Sequence, residues 1–244
     1  MSTAAVVIVG NEILTGKFAD ENGPYLITQL RRRGVALGRL VVVPDVVSEI
    51  AAEVGRCAVA FEHVITTGGV GPTHDDVTFE GVAAAFGLGL VEHSELRDLL
   101  TRYRLPIDDA NIRMARVPEG TELVWSPDGH YPVVRARNVW MFPGVPKLLR
   151  LKFSSIAERL GGTALFTARI FARDDETTIA SWLAGVATAH PAVQIGSYPR
   201  FGEGEARLIV TVEGPDQAAV DGALTALAAR LDVITVARAE DGGA

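Results

Sequence analysis

One cysteine in 244 residues, Cys57, excludes an intrachain disulfide framework, and a lone thiol fits a reducing compartment. No apolar run approaches the ~18 residues that a membrane span needs. Met1 to Gly10 lacks the basic segment of a secretory leader, so a soluble, cytoplasmic chain is expected, with no membrane partner. Positive charge is scarce: 23 Lys and Arg stand against 30 Asp and Glu, a net charge of -7. That balance argues against a nucleic-acid partner, which would meet a basic stripe. It leaves anionic small ligands open, because backbone N–H groups bind phosphate whatever the net charge. Two hydrolase signatures are missing as well. There is no Gly-x-Ser-x-Gly elbow, and His63, His74, His93, His130 and His190 show no zinc-ligand spacing. What is present is an ordinary globular composition, 48% hydrophobic with 25 Gly and 12 Pro, long enough to bury one large domain or a large and a small one.

Short β-branched runs ended by glycine or proline organise the first two thirds. Ala4 to Val9 reads as a strand buried on both faces, and Leu37 to Val43, His63 to Thr67 and Val139 to Phe142 read as further strands. Helices fit between and after them: Gly23 to Arg33, one N-capped by Ser48, one from Thr78 and one after Pro146. The region from Glu92 to Trp125 is less regular, with helices expected at Ser94 to Arg104 and Ala110 to Met114 and a strand around Leu123. Alternating strands and helices imply a mostly parallel sheet with helices on both faces, a three-layer α/β domain. Beyond Gly161-Gly162, which reads as a hinge, the order is strand (Ala164 to Ala172), helix, strand, strand, helix, strand. That is the split βαβ pattern of a smaller, ferredoxin-like α+β domain. The expected organisation is therefore residues 1–160, residues 161–239 and a frayed acidic tail, 240–244.

The unusual residues follow strand ends. Gly10-Asn11-Glu12, Asp45, Gly68 to Asp76 and Pro143-Gly144 each come directly after a strand, and in a parallel sheet these positions share the carboxyl edge, where ligands bind. The richest segment is TGGVGPTHDDVT, Thr67 to Thr78. Its glycines, Gly68, Gly69 and Gly71, allow close backbone approach, and a loop feeding a helix N-terminus presents N–H groups to a phosphate or diphosphate. Thr73 and Thr78 belong to the same segment. Asp75 and Asp76 would repel an anion unless a divalent cation such as Mg²⁺ lies between. The competing reading is that Asp76 and Thr78 simply cap the next helix. Gly10 to Lys17 (GNEILTGK) is not a P-loop, having five residues between its glycines and Phe18 where Ser or Thr should stand. Glu12 reads equally well as a crevice residue or an exposed acid. Asp20 and Asn22 read first as caps, Asp45 as a ligand or turn residue, and Lys17 as a solvated surface cation.

GNEILTGK with Asp20 and Asn22, TTGGVGPTHDDVT, and FPGVP resemble the molybdopterin-binding (molybdenum-cofactor biosynthesis) domain family over roughly the first 160 residues. The similar branch is that of competence/damage-inducible protein A N-terminal domains and the N-terminal domain of eukaryotic FAD synthases. Gly196-Ser197-Tyr198-Pro199 is the best local match of the smaller domain to that branch. The resemblance implies a pterin or nucleotide ligand, a homo-oligomer, and a role for Asp76 at the position used in molybdopterin adenylylation. For the branch it implies metal-dependent hydrolysis of dinucleotide pyrophosphates such as ADP-ribose or FAD. Asp76 and Asp45 would then be catalytic, with Asp45, Asp75 and Asp76 around Mg²⁺ or another divalent ion. Gly10, Asn11, Glu12, Gly68, Gly69, Gly71, Thr73, Thr78, Pro143 and Gly144 would bind substrate. The alternative is a module that binds molybdopterin or a nucleotide, or adenylylates it, without hydrolysis. Two departures stand out: Asp20-Glu21-Asn22 replaces Asp-Thr-Asn, and Ser126 to Val134 replaces a Gly-Thr-Ala-Pro-Gly stretch. No segment resembles an amidase or FAD synthase domain, so neither activity is expected of these residues.

Overall fold

The computed structural model describes residues 2–126, 130–162, 165–202 and 204–239. Ala164, Pro127 to Gly129 and the tail from Glu240, on which parts of the expectations above fall, lie outside them. The chain divides into two compact units, Met1–Gly162 and Thr163–Ala244.

In the first unit a six-stranded sheet has the order β2-β1-β3-β8-β7-β6. Its members are β1 (Thr3–Val9), β2 (Ala36–Val43), β3 (His63–Thr67), β6 (Glu122–Val124), β7 (Val133–Ala136) and β8 (Val139–Phe142). The pairings β2-β1, β1-β3 and β3-β8 are parallel, whereas β8-β7 and β7-β6 are antiparallel. The strand β1 is buried on both sides because its residues alternate between two cores. Ala5, Val7 and Val9 pack with Ile50 and Val54 of α3 (Val47–Ala60) and Phe79 and Val82 of α4 (Thr78–Phe86). Ala4, Val6 and Ile8 pack with Leu26 and Leu30 of α2 (Asn22–Arg32) and Leu149, Phe153 and Ile156 of α6 (Pro146–Ala157). Helix, sheet, helix is the three-layer arrangement that the uninterrupted apolar runs call for.

Two local features differ from the sequence reading. Ser48 does not cap α3: Val46, in extended backbone, is the N-cap and its carbonyl accepts from Glu49 and Ile50 N–H, so the helix starts at Val47. Asn11–Leu14 forms a single helical turn, α1, where a loop was expected. Gly162, the last residue of the first unit, packs against Arg33, where a Cβ would lie 2.1 Å from the carbonyl oxygen.

The irregular region holds α5 (Ser94–Arg102), a 3-10 turn (Asn111–Ala115) and a separate antiparallel pair, β4 (Leu90–Glu92) with β5 (Arg116–Pro118). The second unit runs β9 (Phe166–Ala172), α7 (Glu176–Ala189), β10 (Gln194–Pro199), β11 (Leu208–Gly214), α8 (Gln217–Ala228), β12 (Val233–Ala239). Its sheet, β10-β11-β9-β12, is wholly antiparallel, and Ala168, Ile170, Val210 and Val212 pack with Ile179 and Leu183 of α7 and Val220 and Leu224 of α8. That is the ferredoxin-like split βαβ order. Among the described residues no helix is long and apolar enough to cross a membrane.

Candidate functional site

Because β2, β1, β3 and β8 are parallel neighbours, the segments that leave them emerge on one edge, and hydrogen bonds stitch those segments together. Gly10 N–H donates to Val43 O at 3.1 Å, Asn11 N–H to Asp45 Oδ2 at 2.7 Å, and Gly68 N–H to Phe142 O at 3.1 Å. Asp45 therefore stands on the same rim as the glycine loop. At the loop itself Gly68 and Gly69 take φ values of 101° and 63°, and a Cβ on Gly68 would lie 2.1 Å from Val9 O. Only glycine fits there. Thr78, fully buried, closes the loop from the other side: its Oγ1 donates to Gly68 O at 2.8 Å and its N–H to Gly69 O at 2.9 Å.

Asp76 does not cap α4, whose N-cap is Val77 with no side-chain hydrogen bond. Its Oδ2 accepts from Thr73 N–H at 2.9 Å and from the Thr73 hydroxyl, closing a tight turn. That carboxylate leans over the loop, 2.7 Å from where a Cβ on Gly71 would be.

A cavity of about 770 Å³ opens beside this loop, a size typical of small-molecule sites. Of the residues picked out from the sequence, Glu12, Gly68, Gly69, Gly71, Asp76, Pro143 and Gly144 line it. Gly10, Asn11, Asp45, Thr73, Asp75 and Thr78 do not; they stand behind the lining or on the rim. Lys17 is also outside, with Nζ 5.9 Å above the Phe18 ring.

The cavity wall holds residues that the sequence reading undervalued or passed over. Asp20 receives Asn22 N–H at 2.9 Å and Gly23 N–H at 3.1 Å on Oδ1, as a cap would, and it also lines the cavity. Asn22, 5% exposed, donates from Nδ2 to Thr67 Oγ1 (2.9 Å) and Gly144 O (2.7 Å), tying the start of α2 to the ends of β3 and β8. The signal was there in part: a small amide just ahead of an apolar helix face serves an end-cap or a cross-link equally well. Lys152, buried on α6, donates to Tyr131 O, and the Tyr131 hydroxyl donates to Met114 O. Lys152, Tyr131 and Met114 all line the cavity.

Charge at the rim is crowded. Burial pushes the Asp45 carboxyl above the ordinary aspartate range, against the pull of its Asn11 N–H donor, and the negative charges of Glu12, Asp75 and Asp76 push the same way. Yet no group of three or more His, Cys, Asp or Glu side chains among the described residues is placed to hold a metal ion, so Asp45, Asp75 and Asp76 do not form a preassembled cage.

Residues 5–161 match the family model described as a "probable molybdopterin binding domain", and residues 164–240 match the model for the middle domain of FAD synthase. A protein of Archaeoglobus fulgidus is 36% identical over 81% of this chain and 86% of its own length. A "probable FAD synthase" of Caenorhabditis briggsae is 34% identical over 92% of this chain, which spans only 49% of that relative. Among solved structures, the protein CinA of Thermoplasma acidophilum, described as having unknown function, matches with a TM-score of 0.60 at 28% identity, over 66% of this chain and 99% of that one.

Proposed function

Since the chain belongs to the molybdopterin-binding domain family, in the branch it shares with CinA and FAD synthases, we propose that it is a nucleotide pyrophosphatase acting on ADP-ribose- or FAD-like dinucleotides. One observation carries the reading: a single cavity collects a glycine loop suited to a diphosphate and the carboxylates of Glu12, Asp20 and Asp76. Phosphates and carboxylates share a site when a divalent cation lies between them. The protein donors are too few for a resident ion; a Mg²⁺ arriving with the diphosphate would draw on Asp45, Asp75 and Asp76 around the rim. Such an ion, when bound, polarises a phosphoryl oxygen.

The chain's own residues do the rest. The Gly68 to Gly71 backbone holds the diphosphate and keeps it in line. Asp76, fixed by Thr73, orients a water and accepts its proton as the water oxygen bonds to one phosphorus. The bond from that phosphorus to the bridging oxygen breaks, and two phosphomonoesters leave; from ADP-ribose these are AMP and ribose 5-phosphate. A cytoplasmic setting accords with the single buried thiol, Cys57, and a homo-oligomer is the corresponding assembly, to be read by light scattering.

The test is AMP release from ADP-ribose, FAD and NAD with Mg²⁺ present. Wild type should turn over at least one of them, and Asp76→Asn should be slower by about 100-fold or more. Silence of both proteins on all three substrates ends the reading. The family match over residues 5–161 favours one second reading, binding or adenylylation of a pterin without hydrolysis. Calorimetric pterin binding with no AMP release would establish that one instead.

A further inference from the structure

The small sheet of the second unit has two edge strands, and they are finished differently. At one edge β10 is complete: Ile195 packs against the core, the Ser197 hydroxyl donates to Glu176 of α7, and Pro199 ends the strand. At the other edge β12 pairs with β9, and among the described residues no strand lies beyond it. Its sequence, VITVARA, is apolar and rich in β-branched residues, with one charge and no proline. Free N–H and C=O groups along such an edge invite another strand, and lysine, proline or a bulge usually blunts them. Here the register shift lies near the start, between Val233 and Thr235, and the rest of β12 stays in step with β9. Arg238, the one charge, is drawn into an ion pair with Asp221 of α8 at 2.7 Å and does not guard the edge. Cover also runs out on the core side. Val236 stands opposite Ile170, which is fully buried, yet Val236 is 43% exposed and its neighbour Ile234 36%. Residues opposite one another share a face, so an apolar side chain on the core face has been left without a flank.

We propose that β12 pairs with β12 of a second copy of this chain, antiparallel about a two-fold axis at Val236, joining two four-stranded sheets into one of eight. Charge selects both the occupant and the direction. With its single cation neutralised from within, the edge matches an apolar strand like itself rather than an acidic or basic segment. Antiparallel pairing about Val236 sets the two valines together and holds the two Arg238 residues about 13 Å apart along the strands. Parallel pairing in register would set the arginines side by side. The inference gives the homo-oligomer of the reading above its interface and is independent of the chemistry at the cavity. Seven residues of edge bury less than the ~1,600 Å² of a standard interface, so the pair is weak and concentration-dependent.

Sedimentation equilibrium of the full chain from about 1 to 200 μM tests this. Wild type should pass from monomer to dimer across that range. Val236→Lys and Val236→Glu each set a like charge against itself and should weaken the dimer by about tenfold or more; an equal mixture should restore it. Amide exchange of the wild type gives a readout that needs no variant to fold: protection of β12 should rise with concentration. A wild type that stays monomeric throughout overturns both the pairing and the homo-oligomer. A dimer that persists undiminished in both variants, or whose β12 amides exchange alike at low and high concentration, overturns the pairing alone. So does a mixture that associates no better than either variant. AMP release enters none of these outcomes, so the hydrolytic reading stands or fails on its own assay.

Discussion

The two units begin their helices in different ways. In the second unit the N-cap aspartate closes each helix itself: Asp175 Oδ1 accepts Thr177 N–H at 3.0 Å before α7, and Asp216 Oδ1 accepts Ala218 N–H at 2.7 Å before α8. In the first unit none of the six described α-helices receives a side-chain hydrogen bond from its own N-cap residue. Acceptors there come from elsewhere, Asp45 reaching Asn11 from another loop and Asp20 reaching Gly23 from upstream. At α4, which follows the glycine loop, there is no side-chain cap at all. A local cap is worth about 1 kcal/mol, and α4 does without one: its first amide, Thr78 N–H, donates to Gly69 O, so the helix start holds the glycine loop instead. Departures from local preference concentrate where ligands approach.

The contrast can be broken at its glycines first. Gly68→Ala places a Cβ against the Val9 backbone at φ 101° and should destabilise the first unit by about 4 kcal/mol, read by urea denaturation. Gly204→Ala, at φ 128° with open space around it, carries backbone strain alone, about 2 kcal/mol. Equal losses would mean that the loop is less tightly wedged than it stands. Next, Asp216→Ala should lower stability by about 1 kcal/mol and leave AMP release untouched, the reverse of Asp76→Asn. An effect of Asp216→Ala on turnover would blur the division between scaffold and site.

The smallest effect is on pH dependence, where Asp45 of the first unit and Asp175 of the second should differ in sign. The folded state holds the Asp45 proton above the ordinary value of 3.8, mainly through burial. Its contribution to stability is present at low pH and is lost as pH rises from 3.8 through the raised value. For Asp175 the Thr177 hydroxyl, then the Thr177 N–H, lowers the pKa, so that contribution is present above 3.8 and lost as pH falls through the lowered value. Relative to wild type, Asp45→Asn should therefore gain stability with rising pH across its window, and Asp175→Asn should lose it across the other. Matching signs in denaturation series would contradict this assignment.

The parallel half of the large sheet was legible because its strands are unbroken β-branched runs ended by glycine or proline, and the small sheet because its strands alternate. At the antiparallel end the strand around Leu123 was legible and β7 was not. In β7, Val133–Ala136 turns back into β8 through Arg137 and Asn138, and Arg137 takes the left-handed φ of 52° that a hairpin usually gives to Gly or Asn. Stacking of its guanidinium 4.5 Å from the Phe86 ring centre, and two bonds from Asn138 Nδ2 to Ala58 O and Phe61 O, hold a turn with no glycine to mark it. The three-residue strands β4 and β5 were too short to show a period. For the site, the glycine loop and its carboxylates could be picked out because strand ends converge in a parallel sheet. The wall formed by Tyr103, Met114 and Tyr131 could not, since these residues come from the irregular stretch between β4 and β5 and from the connection between β6 and β7, which carry no period.

Gly68 jammed against Val9 has a consequence for anyone redesigning this protein. The glycine bend is keyed to strand spacing and tolerates almost no variation, while the excursion that supplies Tyr103, Leu105 and Met114 lies on a separate stretch of the gene. Libraries randomised only over that stretch should reshape the cavity wall and inherit the bend intact.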